Sequence, residues 1–216
     1  DMDTLVDSRG CEKLVNQLIE YDQRLYKDAL TGVYNRRYFE EQIKKKNENA
    51  GVAVIDMDDF KLCNDTLGHS VGDAALRTMV KTVKHCIRKT DILIRYGGDE
   101  FILILENIKK ENFFNKLVQI QSDIHAANVP GFPKLQLSVS IGGVISSKET
   151  VEHAVMQADK LMYQAKEHKN MVVTEDNASY VAPGVANRKA RQQILIVDDS
   201  EMNRAILSEM LKKDFD

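Results

Sequence analysis

Two apolar runs separated by a pair of glycines constrain the fold of this chain more than any other feature. Residues 92–94 and 101–105 are each apolar enough for a buried strand, and Gly97 and Gly98 lie between them. A Gly-Gly pair between two such runs is a signal for an antiparallel hairpin. The sequence therefore predicts a hairpin at the centre of a sheet.

The rest of the chain alternates between short apolar runs and amphipathic segments. Further strands are predicted at residues 52–55, 135–143 and 171–173, and helices at 36–46, after Ser70, at 111–127 and from Val151 to Ala165. The last helix is the clearest, because its apolar residues recur at i, i+3, i+4 and i+7. This order of elements predicts an α+β fold, an α/β sandwich with helices around a mixed sheet.

Composition excludes several classes of protein. The 216 residues are 43% hydrophobic and 29% charged, with a net charge of −3. A nucleic-acid binder would show a basic excess, and a membrane helix needs about 20 apolar residues in a row. The chain lacks both features, so we expect a cytoplasmic protein that does not bind nucleic acid. The three cysteines have no zinc-like spacing and are expected to be reduced thiols.

Two acidic clusters follow predicted strands. Asp56, Asp58 and Asp59 end one apolar run, and Asp99 and Glu100 follow the glycine pair. Magnesium prefers such oxygen ligands, and glycines let a phosphate chain approach the backbone closely. The residues themselves leave two interpretations open, metal-dependent phosphate chemistry and a purely structural hairpin with solvated turn acids.

Five ordered blocks resemble one known family. Residues 97–101 spell Gly-Gly-Asp-Glu-Phe, the signature of the GGDEF family of diguanylate cyclases, and the other blocks are residues 28–37, 56–61, 64–73 and 158–166. The resemblance spans residues 28–173. It implies a five-stranded mixed sheet related to nucleotidyl cyclases and the polymerase palm. It also implies an enzyme that joins two GTP molecules into cyclic di-GMP and releases two pyrophosphates.

The resemblance assigns expected roles by matching position. The implied metal ligands are Asp56, Met57 through its backbone carbonyl, Asp99 and Glu100. The implied catalytic residues are Asp99 as base for the ribose 3′-hydroxyl, Glu100 beside it, and Lys61 on the phosphates. The implied substrate-binding residues are Asn64 and Asp73 on guanine, His69 near the nucleotide, Gly97, Gly98 and Lys166. The cofactor would be Mg²⁺, or Mn²⁺ in its place, and two GTP-loaded domains must face each other as a homodimer.

Structural alternatives exist for several of these residues. Ser70 and Asp73 have the spacing of a variant capping box, Asn64 is a common turn residue, and a lone His69 in such a turn is often structural. One segment departs from the family. Lys166 is normally followed by a Gly-Arg-Asn block, whereas this chain has no arginine there, and Lys169 is a candidate replacement that lacks the bidentate fork.

Arg88 and Asp91 form an Arg-x-x-Asp pattern at a fixed offset before the glycine pair. This placement resembles the family's inhibitory product site, where an arginine grips the O6 and N7 edge of guanine. The structural alternative is an exposed i, i+3 ion pair at a helix end. Cyclic di-GMP is thus expected as both product and inhibitor.

The chain is expected to divide into four parts: 1–27, 28–174, 175–191 and 192–216. The first is a helix with a heptad seam, either a coiled-coil signalling linker or a lone packed helix. The second is the cyclase domain and the third a linker. The fourth resembles the truncated start of a response-regulator receiver, with Asp198 and Asp199 as its acidic pair, in a chain that is expected to be a piece of a longer protein.

Two other classes of function remain open at this level. A catalytically silent module would bind GTP or cyclic di-GMP and regulate a neighbour, although silent relatives often lose the signature acids. A structural dimerisation module would instead use the heptad seam.

Overall fold

A seven-stranded mixed sheet organises the part of the chain that the computed structural model describes. The described residues are 24–47, 49–176 and 180–181, together with 13, 15–17 and 21. The strands are β1 (Tyr34–Asn35), β2 (Ala50–Met57), β3 (Ile92–Arg95), β4 (Glu100–Glu106), β5 (Val139–Ser146), β6 (Met171–Thr174) and β7 (Tyr180–Val181). Their order is β1-β3-β4-β2-β5-β6-β7. The predicted α+β class is confirmed; the five longer strands form a mixed sheet, and two-residue strands extend it at each edge.

The central strand β2 carries the acidic end of the sheet. It runs antiparallel to both β4 and β5, and all of its residues are buried. Burial on both sides explains why its sequence is a continuous apolar run up to Asp56. In this register Asp56 lies opposite Glu100 of β4 and Ser140 of β5. The predicted hairpin forms between β3 and β4.

Helices cover both faces of the sheet. They are α1 (Arg36–Tyr38), continued by a π-helical segment (Phe39–Ile43), α2 (Phe60–Leu67), α3 (His69–Cys86), α4 (Lys110–Ala126) and α5 (Val151–Lys166). Phe101 and Leu103 pack in one core with α3 and α4, while Ile102 and Ile104 pack with the π-helical segment on the other face. Strict alternation along β4 therefore divides the core into two layers.

Helix α5 packs on β5 with its backbone. A Cβ atom at Gly142 would lie 2.0 Å from the Met162 nitrogen and 2.1 Å from the Ala158 carbonyl oxygen. Only a glycine allows this approach, and Ala154 and Ala158 complete the close contact because they are small and fully buried. This packing fixes the C-terminal end of α5, which carries Lys166.

Several predicted boundaries differ from the structure. The strand predicted at 135–143 begins at Val139, and the helix predicted to follow Ser70 begins at His69. Helix α2 was not predicted, because residues 60–67 lack a full apolar stripe. Strands β1 and β7 were also missed, since two residues are too few for a periodic pattern.

Some predictions fall wholly or partly outside the described residues. Residues 13, 15–17, 21 and 24–26 are helical, whereas Cys11, Leu14 and Leu18 of the heptad seam lie outside the described part. The linker beyond residue 181 and the receiver-like segment with Asp198 and Asp199 also lie outside it. No helix in the described part is long and apolar enough to cross a membrane. Cys63 and Cys86 are free thiols, and burial, reinforced by Asp123, raises the pKa of Cys86 to about 11.

Candidate active site

The three acids at the end of β2 have three different environments. Asp56 is only 2% exposed and faces α5. Asp58 is enclosed by hydrogen bonds: it accepts from the Ser138 hydroxyl, from the Ser140 hydroxyl at 2.7 Å and from the Asn170 backbone nitrogen at 2.8 Å. Asp59 is exposed and paired with Lys169. Asp58 therefore ties β2 to the loops around it, and Asp56 is the acid available for chemistry.

Asp56 is a buried carboxylate with one oxygen paired and one free. Its Oδ2 lies 2.8 Å from Lys166 Nζ, while its Oδ1 has no hydrogen-bond partner in the described part of the chain. Burial raises the pKa of Asp56 to about 6, against the opposing effect of Lys166 and with a further contribution from the charges of Asp99 and Glu100. Burial lowers the pKa of Lys166, but the bond to Asp56 outweighs it and the net shift is upward. The site thus concentrates negative charge around one buried oxygen.

The glycine turn brings the second acidic cluster to the same place. Residues 96–99 connect β3 to β4, and the Tyr96 and Gly97 nitrogens donate to the Glu100 carbonyl. The Met57 nitrogen donates to the Asp99 carbonyl at 3.2 Å, which joins the end of β2 to the turn. Asp56, Asp99 and Glu100 are therefore brought together by strand register, as the two acidic clusters in the sequence suggested.

The two glycines of the turn differ in their surroundings. Neither has a left-handed backbone, so the hairpin is not the two-residue turn that a Gly-Gly pair usually signals. A Cβ at Gly97 would lie 2.9 Å from the Glu100 carboxylate, whereas a Cβ at Gly98 would meet no atom within 4 Å. The space beside Gly98 is open to a ligand.

Arg95 holds this turn in place, a role that motif matching did not find. Its Nε and Nη2 donate to the Gly98 carbonyl at 3.1 and 2.7 Å, and its Nη1 donates to Asp28 Oδ1 at 3.1 Å. Asp28 also accepts from the backbone nitrogen and hydroxyl of Thr31. The signal in the sequence was an arginine at the end of an apolar strand, where a charge must find a partner.

The predicted guanine-binding residues lie on α2 and α3. Gly68, with φ of 91°, separates the two helices, and the Gly68 carbonyl accepts from Val71 and Gly72 in the first turn of α3. The proposed capping box at Ser70 is therefore wrong, because Ser70 lies inside the first turn and Gly68 occupies the cap position. A glycine is needed there, since φ of 91° is strained for other residues.

This helix junction places Asn64 against the first turn of α3, one position before Asp73. A Cβ at Gly72, the residue before Asp73, would lie 1.9 Å from Asn64 Oδ1. Both side chains are half-buried, whereas His69 and Lys61 are exposed at the first turns of α3 and α2. An amide and a carboxylate together can satisfy the donor and acceptor edge of a purine.

The donor set fits a magnesium ion bound together with phosphates. No three His, Cys, Asp or Glu side chains in the described ranges lie together as a complete site. Magnesium, however, needs only one or two protein carboxylates when substrate phosphates and waters supply the rest. The unpartnered Asp56 Oδ1, with the charges of Asp99 and Glu100 nearby, provides such a position.

A family model described as "Diguanylate cyclase, GGDEF domain" matches residues 25–171. The chain belongs to this family. The GGDEF domain is 30% identical over 163 residues to the probable diguanylate cyclase DgcC of Escherichia coli, covering 69% of this chain and 44% of DgcC. It is 36% identical over 149 residues to the diguanylate cyclase DgcS of Shewanella oneidensis, covering 64% of this chain and 49% of DgcS. The chain thus spans less than half the length of these curated relatives.

A solved structure agrees with this assignment. The GGDEF domain of DgcB from Caulobacter crescentus, determined in complex with c-di-GMP, matches with a TM-score of 0.63 at 25% identity. The match covers 69% of this chain and 95% of that one.

The Arg-x-x-Asp pattern of this GGDEF domain lies at a cavity whose lining residues include none of the acids at the end of β2. Arg88, Asp91, Lys84 and Lys89 help line a space of about 310 Å³, together with Lys27 and residues 32–34 at the start of β1. Arg88 is exposed, whereas Asp91 accepts from the backbone nitrogens of Arg88 at 2.7 Å and Glu106 at 3.1 Å. Asp91 therefore shapes the loop that presents Arg88.

Proposed function

We propose that this GGDEF domain is a magnesium-dependent diguanylate cyclase that condenses two GTP molecules into cyclic di-GMP and two pyrophosphates. The observation that carries the proposal is the convergence of Asp56, Asp99 and Glu100 at adjoining strand ends, with one buried oxygen of Asp56 unpartnered. A structural hairpin would not need a buried acid in this state, because an unpaired buried carboxylate is costly.

The substrate would bind across the β2–α2 loop. Its phosphates would lie at the first turn of α2, where backbone N–H groups favour anions, within reach of Lys61 and Lys166. Its guanine would be held by Asn64 and Asp73, with His69 at the rim. The open space at Gly98 leaves room for the phosphate chain beside the turn.

The metal would be held by Asp56, Asp99, Glu100 and the Met57 carbonyl, with Mn²⁺ as an alternative to Mg²⁺. When bound, the ion polarises the reacting phosphate and lowers the pKa of the attacking hydroxyl. Asp99 would accept the proton of the ribose 3′-hydroxyl as that oxygen attacks the α-phosphorus of the other GTP. As the new P–O bond forms, the bond to pyrophosphate breaks, and Lys61 and Lys166 offset the negative charge of the leaving group.

Each domain would hold one GTP, so the active species would be a homodimer with two sites face to face. Arg88 beside its cavity would bind cyclic di-GMP as an inhibitor, and the DgcB complex supports an affinity of the fold for this ligand. We place the enzyme in the cytoplasm, where GTP is available.

The division of the chain is also a proposal. The family match at 25–171 supports a cyclase domain at about 28–174, preceded by a signalling helix at 1–27. Residues 175–191 would be a linker, and residues 192–216 the start of a receiver.

The test is incubation with GTP and Mg²⁺ followed by chromatography for cyclic di-GMP. Asp99→Asn should lower turnover by at least about a hundredfold, the usual contribution of a general base, while the melting temperature stays near that of the wild type. Chelation of divalent cations should stop the reaction. Asp176→Asn, a remote exposed acid, is the matched control. Near-native turnover by Asp99→Asn would contradict the proposed mechanism.

A further inference from the structure

Two oppositely charged residues meet at the rim of the candidate phosphate site. Lys169 Nζ lies 2.8 Å from both carboxylate oxygens of Asp59. Asp59 follows β2 and Asp58, whereas Lys169 belongs to the turn between α5 and β6, far away in the sequence. The two loops that frame the site are therefore joined by one ion pair.

Both residues occupy left-handed backbone positions, with φ of 56° at Asp59 and 55° at Lys169. Asp59 is the N-cap residue of α2, yet its side chain makes no capping hydrogen bond. An aspartate at an N-cap normally caps the helix. Here its carboxylate is directed to Lys169, so the start of α2 keeps its backbone N–H groups available while the nearest lysine is occupied.

The pair resembles the neighbouring contact between Lys166 and Asp56, but the two differ in burial. Lys166 binds a carboxylate that is 3% exposed in its side chain, whereas the side chains of Lys169 and Asp59 are 56% and 52% exposed. An exposed ion pair is worth only about a 1.5-fold to fivefold equilibrium preference. A nucleoside triphosphate with several negative charges can therefore displace Asp59 from Lys169.

We propose that Asp59 sets the affinity of the site for nucleoside triphosphates by holding Lys169 as an exchangeable partner. Without nucleotide, Lys169 is neutralised by Asp59; with nucleotide, Lys169 transfers to the phosphates and Asp59 is left to solvent. Because the Asp59–Lys169 contact must break when nucleotide binds, its free energy reduces the net free energy of nucleotide binding. Asp59 is thus an affinity-determining residue that acts through Lys169, and the inference rests on the proposed binding of GTP.

The test is a double-mutant cycle. Asn tolerates left-handed backbone, so Asp59→Asn and Lys169→Asn remove charge while preserving the loop geometry. The probe is 3′-deoxy-GTP with Mg²⁺, which lacks the attacking hydroxyl and so reports binding alone by calorimetry. Asp59→Asn should tighten binding about twofold to fivefold, Lys169→Asn should weaken it, and Asp59→Asn added to Lys169→Asn should give no gain. Lys169→Arg should retain the response to Asp59→Asn.

The control is the remote pair of Lys110 and Asp176, with a distance of 3.1 Å and side-chain exposures of 63% and 55%. Asp176→Asn changes the net charge equally and should leave the affinity unchanged. With GTP, Asp59→Asn should change KM more than kcat.

If Asp59→Asn tightened binding equally in the wild type and in Lys169→Asn, Asp59 would act by repelling the phosphates directly. That result would overturn the proposed exchange of Lys169. An unchanged affinity in Asp59→Asn would also overturn it, while leaving the cyclase proposal intact if the wild type makes cyclic di-GMP. A wild type that neither binds 3′-deoxy-GTP nor makes product would contradict both proposals.

Discussion

Single residues in this site derive their roles from burial and partners more than from their type. Asp56, Asp58 and Asp59 are all aspartates within four positions, yet only Asp56 combines burial with an unpartnered oxygen. Asp58 accepts hydrogen bonds from two serine hydroxyls and a backbone nitrogen, and Asp59 forms an ion pair with Lys169. Burying a carboxylate oxygen without a partner costs free energy unless a hydrogen-bond donor or a cation binds it. The unpartnered Oδ1 therefore makes Asp56 the expected anchor of the metal.

Gly98 offers a direct test of where the phosphate chain lies. Gly98→Ala should fold with wild-type stability, because its Cβ would meet no atom within 4 Å and its backbone is not left-handed. It should lower kcat/KM for GTP by at least about tenfold, since misplacing a reacting group by 1 Å can cost more than that. Initial rates and thermal melting give the two readouts.

Gly142→Ala is the contrasting variant. Its Cβ would lie 2.0 Å from a backbone nitrogen of α5, so the variant should lose about 3 kcal/mol of stability or fail to fold. A wild-type kcat/KM in Gly98→Ala would show that the phosphates do not pass this turn.

Between elements, the contact of Arg95 with Asp28 and Gly98 joins the turn before β1 to the glycine turn. The side chains of Arg95 and Asp28 are largely buried, and the arginine donates to both partners at once. Positions far apart in sequence thereby fix the loop that carries Asp99. In the glycine turn Tyr96 packs edge-on against Phe39, but Gly97 and Gly98 have no side chains to pack, so the bonds from Arg95 to the Gly98 carbonyl hold that part of the turn.

This contact predicts a pH-dependent stability. Burial raises the pKa of Asp28, but hydrogen bonds from Thr31 and Arg95 outweigh it and bring the pKa below the ordinary value of 3.8. A lowered folded-state pKa means that the stabilisation is present above pH 3.8 and is lost as the pH falls through the folded-state value. The free energy of unfolding of the wild type should exceed that of Asp28→Asn by about 1 kcal/mol at pH 7.

Denaturant titrations from pH 7 down to strongly acidic solution would check this difference. The difference in unfolding free energy between the wild type and Asp28→Asn should shrink once the pH falls below the ordinary pKa of aspartate. Arg95→Met should lose the same pH dependence in part, because one of the two sources of the low pKa is gone. A constant difference between wild type and Asp28→Asn at all pH values would contradict the assignment.

For the whole molecule, the proposed reaction requires two domains, because each domain would carry one of the two GTP molecules that are joined. The rate per chain should therefore rise with protein concentration and level off as the dimer forms. Initial rates across a dilution series, compared with the oligomeric state by light scattering, would measure this. A flat rate per chain while the protein is monomeric would contradict a dimeric active species.

The proposed product inhibition also involves the whole molecule, because the cavity beside Arg88 is distinct from the acidic site and must act on it at a distance. Cyclic di-GMP should inhibit the wild type, and Arg88→Ala should raise the inhibitory concentration by about tenfold or more, the discrimination expected of a bidentate guanine contact. Arg77→Ala, another exposed arginine on the neighbouring helix, should behave as the wild type. Equal inhibition of Arg88→Ala and wild type would exclude a role for Arg88.

Much of the fold and of the site could be predicted from sequence because their signals are local. The apolar runs of β2 and β4 and the stripe of α5 reflect burial that each segment shows by itself. The order of the five motif blocks identified the family, which the comparisons confirmed. The roles assigned to the individual residues stay predictions, although strand register brings Asp56, Asp99 and Glu100 together as expected.

What depends on distant contacts could be decided only by the tertiary structure. The sequence suggested a capping box from Ser70 to Asp73 and Lys169 as a replacement for an arginine. In the structure Gly68 takes the cap position and Lys169 is paired with Asp59. Nor could the sequence predict that Arg95 would reach Asp28. Local patterns record what a segment buries, because hydrophobic periodicity is set by its own residues. The partner of a charge is set by which loops the sheet brings together, and that is a property of the folded chain.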